Sequence, residues 1–176
     1  MEQQGTFYLF TGLSGAGKTT LGGMFYRHLH ETKPNVVWLD GDEFRQTYQN
    51  AVGYGSDDRH ASCFPAFRLC RLLTRQGIDV IYCTISMYDD VRRWARDNIP
   101  NYKEIYIRTK METLYSRDPK GIYARGIDVV GVDLPCDYPK HPDIIVQNDG
   151  QSTPEVLVAQ IEQALAANKG DGFLIG

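Results

Sequence analysis

The run Gly12-Leu13-Ser14-Gly15-Ala16-Gly17-Lys18-Thr19 has the pattern G-x-x-x-x-G-K-[ST]. The chemistry of such a run is phosphate capture. Its glycines let the backbone close tightly, so that several N–H groups point at phosphate oxygens at the start of a helix. Gly12, Ser14, Gly15, Ala16, Gly17, Lys18, Thr19 and Thr20 are therefore the expected contacts to a nucleoside triphosphate. Lys18 would reach the outer phosphates, and Thr19 would offer its hydroxyl to Mg²⁺. A second pair, Asp40 and Asp42, is separated by one glycine. One of these carboxylates can orient Mg²⁺ and its water, and the other can accept the proton of an attacking hydroxyl. Arg45 and Arg59 follow, either of which could grip phosphate or sulfate oxygens with a planar fork or face solvent. The stretch from Arg117 to Arg125 is basic and broken by Pro119 and Gly121. It suits a lid that brings positive charge over phosphates, although its composition equally describes a surface loop.

These side chains can act together only if regular elements bring them to one place. Apolar, β-branched or aromatic runs at residues 7–10, 36–39, 79–85, 105–107 and 144–146 read as strands covered on both faces. Helical spacing recurs over 19–31, 43–50, 59–75, 89–96, 111–117 and 154–167. Alternation of this kind predicts an α/β fold with a five-stranded parallel sheet. Ligands of such a sheet gather at the carboxyl ends of its strands. The glycine-rich loop ends the first run, Asp40 and Asp42 end the second, and Ser86 ends the third. One domain is expected over residues 1–169. Residues 170–176 are expected to be a mobile tail, although Phe173-Leu174-Ile175 could dock.

The net charge of −3 argues against a general nucleic-acid binder. It leaves room for a local basic pocket that takes one small anionic substrate. Cys63, Cys70, Cys83 and Cys136 lack metal-ligand spacing, and Cys70 and Cys83 read as packed thiols. No apolar stretch approaches a membrane span, and the cytoplasm is the expected location.

Taken in order along the chain, the motifs resemble the adenylylsulfate kinase (APS kinase) family. The family's GLSGxGKTT loop appears as GLSGAGKTT, and its LDGDxxR motif as residues 39–45. Its GFSxxDR segment corresponds to Gly53-Tyr54-Gly55-Ser56-Asp57-Asp58-Arg59, and its ISPY to Ile85-Ser86-Met87-Tyr88. Its RDxKGLY lid appears as residues 117–123, and a later G-[IV]-D-x-P as residues 131–135. The resemblance implies a three-layer P-loop kinase that uses ATP and Mg²⁺ to phosphorylate the 3′-hydroxyl of adenylylsulfate, in sulfate assimilation. By the same likeness Asp42 is the candidate base, supported by Asp40, with Thr19 and Asp40 toward the metal. Arg45 and Arg59 would hold the acceptor's phosphosulfate, Tyr54 would stack on its base, and Ser62, Ile85 and Ser86 would line its site. Lys120 would act from the lid, and Arg117 would lie on the ATP adenine. Ser86 aligns with a serine sometimes assigned as a phosphorylated intermediate, but in-line transfer needs none, so it reads as a substrate contact. The family is often dimeric, which makes a homodimer an expectation.

The departures fall on the acceptor side. Val129-Val130-Gly131 stands where the family has Phe-Thr-Gly, and that phenylalanine is one wall of an aromatic sandwich around the acceptor adenine. Val129 is thus expected opposite Tyr54, with space in place of a phenyl ring. Ser62 replaces an asparagine, and Asp89 stands where the family has arginine. A different activated nucleotide, such as the cytidine diphosphoramidate taken by some APS-kinase-like enzymes, is therefore an alternative acceptor. A GTPase-like switch would need N-K-x-D, and Thr109-Lys110-Met111-Glu112 lacks the aspartate. A non-catalytic nucleotide-binding module would not need Lys18, Thr19, Asp40 and Asp42 together.

Overall fold

The computed structural model describes residues 4–47, 56–118, 121–126, 129–168 and 172–176, and at residues 56–59, 61 and 62 only the backbone. Tyr54 and Lys120 lie outside the described residues, as do the side chains of Arg59 and Ser62.

Six parallel strands form one sheet in the order β2-β3-β1-β4-β5-β6. They are β1 (Phe7–Thr11), β2 (Val36–Asp40), β3 (Asp79–Thr84), β4 (Tyr102–Arg108), β5 (Ile144–Gln147) and β6 (Phe173–Ile175). The described helices are α1 (Lys18–Thr32), α2 (Gly41–Gln46), α3 (Ser56–Thr74), α4 (Asp89–Asn98), α5 (Met111–Arg117), α6 (Ile122–Arg125) and α7 (Pro154–Ala166).

The period-two alternation of each strand sends its side chains into two separate cores. Phe7 and Leu9 of β1 join Val80 and Tyr82 of β3 on one face, where Phe67 and Cys70 of α3 and Val91 and Ala95 of α4 cover them. Phe10, Ile81 and Cys83 point the other way, among Leu21 and Phe25 of α1 and Leu157, Val158 and Ile161 of α7. Both faces being covered, the central strands carry apolar residues almost continuously, and every residue of β3 is buried.

The expected five-stranded sheet is corrected to six. The additional strand, β6, comes from the segment set aside as a tail, where Phe173, Leu174 and Ile175 pair with Ile144, Ile145 and Val146. A β-branched residue and an aromatic at the sheet's edge gain backbone hydrogen bonds and one buried contact, Ile175. The basic segment after α5 also holds more structure than a loop, namely the single turn α6. No helix among the described residues is long and apolar enough to cross a membrane.

Candidate active site

The carboxyl ends of β1, β2 and β3 open into a cavity of about 410 Å³. Ser14, Gly15, Gly17, Lys18, Thr19 and Thr20 form its floor. Asp40, Gly41, Asp42 and Arg45 form one wall, and Thr84, Ile85 and Ile122 complete it. Gly12 lies at the loop's root, against the carbonyl of Ile107, and Ala16 is fully buried beneath it. Helix α1 begins at Lys18 with no acidic residue of its own in its first turn, so its partial positive end faces the cavity.

Lys18 donates from Nζ to the carbonyl of Leu13 at 2.8 Å, folded back over its own loop. The Thr19 hydroxyl donates to Asp40 Oδ2 at 2.7 Å. The other oxygen of Asp40 accepts from the backbone N–H groups of Asp42 at 2.8 Å and Glu43 at 3.4 Å. Asp40 is therefore the N-cap of α2, which begins two residues earlier than its apolar spacing indicates. This cap fixes the direction of Asp42 at the cavity edge. Thr19 and Asp40 together present hard oxygens on adjacent elements. Such a donor set fits Mg²⁺, which takes one or two protein oxygens and completes its shell with water and phosphate.

Arg45 enters the cavity wall from α2, and its Nε is buried with no hydrogen-bond partner among the described residues. A guanidinium N–H left unpaired in this way is costly unless a ligand supplies an acceptor.

Two of the residues expected at the site, Ser86 and Val129, lie outside the cavity lining. Ser86 is 4 % exposed and lies outside the cavity lining; its hydroxyl donates to Cys63 Sγ at 3.6 Å. It has a φ of 33°, unusual for a residue with a side chain. Its carbonyl accepts from Arg92 Nη1 at 3.0 Å, while the carbonyl of Ile85 accepts from Thr11 Oγ1 at 2.5 Å. Backbone anchoring, rather than presentation of the hydroxyl, is what the surroundings of Ser86 provide. Val129 is 2 % exposed and belongs to the apolar cluster that includes Leu13 and Tyr123. A valine of that size is absorbed by the core instead of leaving a gap in the cavity wall. Arg117 ends α5 with its Nη2 beside Gly150, in the segment that follows Asn148. Burial pushes the Cys63 thiol up and the Cys83 thiol up to about 12, which disfavours the thiolate at both.

Several contributors escaped sequence reasoning. Tyr123 of α6 donates its hydroxyl to the carbonyl of Ser14 at 2.7 Å. Asn148, just after β5, donates from Nδ2 to the carbonyl of Ala16 at 2.8 Å. Arg92, 3 % exposed, holds Ser86 and also pairs with buried Glu104 at 3.2 Å and with the Asp137 carbonyl at 2.8 Å. Only Tyr123 had a sequence signal, as the last residue of the lid motif.

A sequence model of the family described as adenylylsulphate kinase matches residues 4–147. A cytidine diphosphoramidate kinase of Campylobacter jejuni is 35% identical over 161 residues, covering 89% of this chain and 94% of that protein. An adenylyl-sulfate kinase of Rippkaea orientalis is 35% identical over 170 residues, covering 94% and 93%. Among solved structures, the Mycobacterium tuberculosis APS kinase CysC in complex with AMPPNP and APS superposes with a TM-score of 0.81 at 27% identity, covering 93% of this chain and 98% of that one.

Proposed function

Because this chain belongs to the adenylylsulfate kinase family, and is thereby an ATP-dependent nucleotide kinase, we propose that it moves the γ-phosphate of ATP to the 3′-hydroxyl of adenylylsulfate. The observation that carries the acceptor's anionic character is Arg45. Arg45 lines the same cavity as Asp42 and the glycine-rich loop, and its Nε, buried behind that lining, has no hydrogen-bond partner among the described residues. A phosphosulfate there would supply the missing acceptor and set the nucleotide with its hydroxyl toward Asp42.

The triphosphate takes its place along the loop, where backbone N–H groups and the start of α1 attract it. Lys18 then leaves the Leu13 carbonyl for the outer phosphates and neutralises charge that builds during transfer. Thr19 and Asp40 would hold Mg²⁺, which would supply positive charge to the triphosphate. Asp42 accepts the proton of the attacking hydroxyl, while Ile122 helps to keep water out from the lid side.

A second reading, transfer to a cytidine diphosphate derivative, is favoured by one observation. Val129, the residue that stands where the family has its phenylalanine, is an aliphatic side chain buried in the core and offers no stacking face. A smaller pyrimidine needs less stacking surface, and stacking contributes about 1–3 kcal/mol per base. ATP consumption in the presence of adenylylsulfate or cytidine diphosphoramidate separates the two. Efficient formation of 3′-phosphoadenylylsulfate is the expected result. Turnover of the cytidine compound alone would replace it with the second reading.

A further inference from the structure

We infer that Tyr123 and Asn148 are positioning residues that lock two peptide planes of the glycine-rich loop with their N–H groups turned toward phosphate. The inference rests on the reading of this loop as the ATP site. The planes are those joining Ser14 to Gly15 and Ala16 to Gly17. Each is followed by a glycine in the left-handed region, with φ of 76° at Gly15 and 100° at Gly17. Glycine crosses between positive and negative φ at little cost, so these are the planes most easily flipped end over end. A flip would turn an N–H away from the phosphates and bring a carbonyl oxygen toward them, exchanging an attraction for a repulsion.

Both carbonyls are held from outside the loop, at 2.7 Å by the Tyr123 hydroxyl and at 2.8 Å by Asn148 Nδ2. Neither donor is loose. Tyr123 is buried, its ring lies 5.2 Å from that of Tyr115, and its own N–H donates to Asp118 Oδ1 at 3.2 Å. Burial raises its hydroxyl to about 12, so it stays protonated and can donate at any ordinary pH. The backbone of Asn148 is tied on both sides. Its N–H donates to the Arg108 carbonyl at 2.9 Å, and its carbonyl accepts from Thr109 Oγ1 at 3.2 Å. Lys18, which holds the Leu13 carbonyl, must leave for the phosphates, whereas these two donors can stay.

The test is calorimetric titration of Tyr123→Phe and Asn148→Ala with AMPPNP and Mg²⁺, without acceptor, beside the melting temperature of the free proteins. Each variant is expected to bind about tenfold more weakly, since one partly buried carbonyl loses its donor and one loop N–H loses its fixed direction. The melting temperature should stay within a few degrees of wild type, and KM for ATP should rise while KM for the acceptor does not. Binding within about twofold of wild type in both variants, or a weakening that tracks a fall in melting temperature, overturns the lock. Wild type that fails to bind AMPPNP overturns the lock and the kinase reading together. Wild type that binds AMPPNP but leaves adenylylsulfate untouched removes only the acceptor, and the lock then stands or falls on the titrations.

Discussion

The roles proposed for Asp42 and Lys18 differ at the level of single side chains, and each has a measurable form. Asp42→Asn keeps the shape and loses the capacity to take a proton, so single-turnover transfer should fall by about 10²-fold or more while ATP binding is little changed. Lys18→Ala should abolish transfer to a similar extent through lost charge on the outer phosphates, with the fold intact by circular dichroism. Val129 yields an expectation opposite to the one its alignment suggests. Val129→Phe would place a phenyl ring not in an open acceptor pocket but in a filled core, at a site 2 % exposed. Thermal unfolding should report a loss of about 1–3 kcal/mol from overpacking. The donor side was legible in the chain because eight adjacent residues spell out the loop. The contacts that Tyr123 and Asn148 make with it were not, because they reach it from 109 and 132 positions away, and the motif that contains Tyr123 says nothing of the loop.

Between elements, the join of α4, β4 and the end of β3 turns on one buried cation. Arg92 looked like one of several arginines on a polar helix, and nothing in the spacing of residues 89–96 marks it as the one turned inward. It pairs with Glu104 of β4, which also accepts from Arg96 at 3.1 Å and Tyr102 at 3.2 Å. Arg92→Ala should cost about 3 kcal/mol, the low end for breaking a buried pair, because Arg96 remains. The cost should depend on pH. Burial already raises the Glu104 carboxyl above its ordinary value, and Arg92 is the leading charge that opposes the rise. Without Arg92 the folded-state value climbs further. The stability of a group raised in this way is present below the unfolded value and is lost as pH rises through the folded one. Denaturant titrations should therefore show the variant's deficit largest near neutrality and shrinking toward about pH 4–5. Helix α6 escaped notice for a different reason: four residues are too few for a 3.6-residue period to show.

In the molecule as a whole, most strands were visible as apolar runs, while strand β6 hid in a segment of three such residues among glycines. Its two neighbouring side chains should respond unequally. Ile175 is 8 % exposed and Leu174 56 % exposed, so Ile175→Ala should destabilise by about 2 kcal/mol and Leu174→Ala by about 0.5 or less in chemical unfolding. The strand order has a consequence for the order of assembly. Strand β1 bonds to β3 and β4, never to β2, its successor along the chain, and β2 bonds only to β3. Neither of the first two strands has any partner until residues 79–84 arrive, so an entropically costly closure precedes the first ladder that either can join. Strand β3 is thereby the natural nucleus. Trimming it with Ile81→Val should slow refolding in stopped-flow mixing more than it hastens unfolding. The segment that grips phosphate, although made early, is among those that must wait for the middle of the chain before it can take shape.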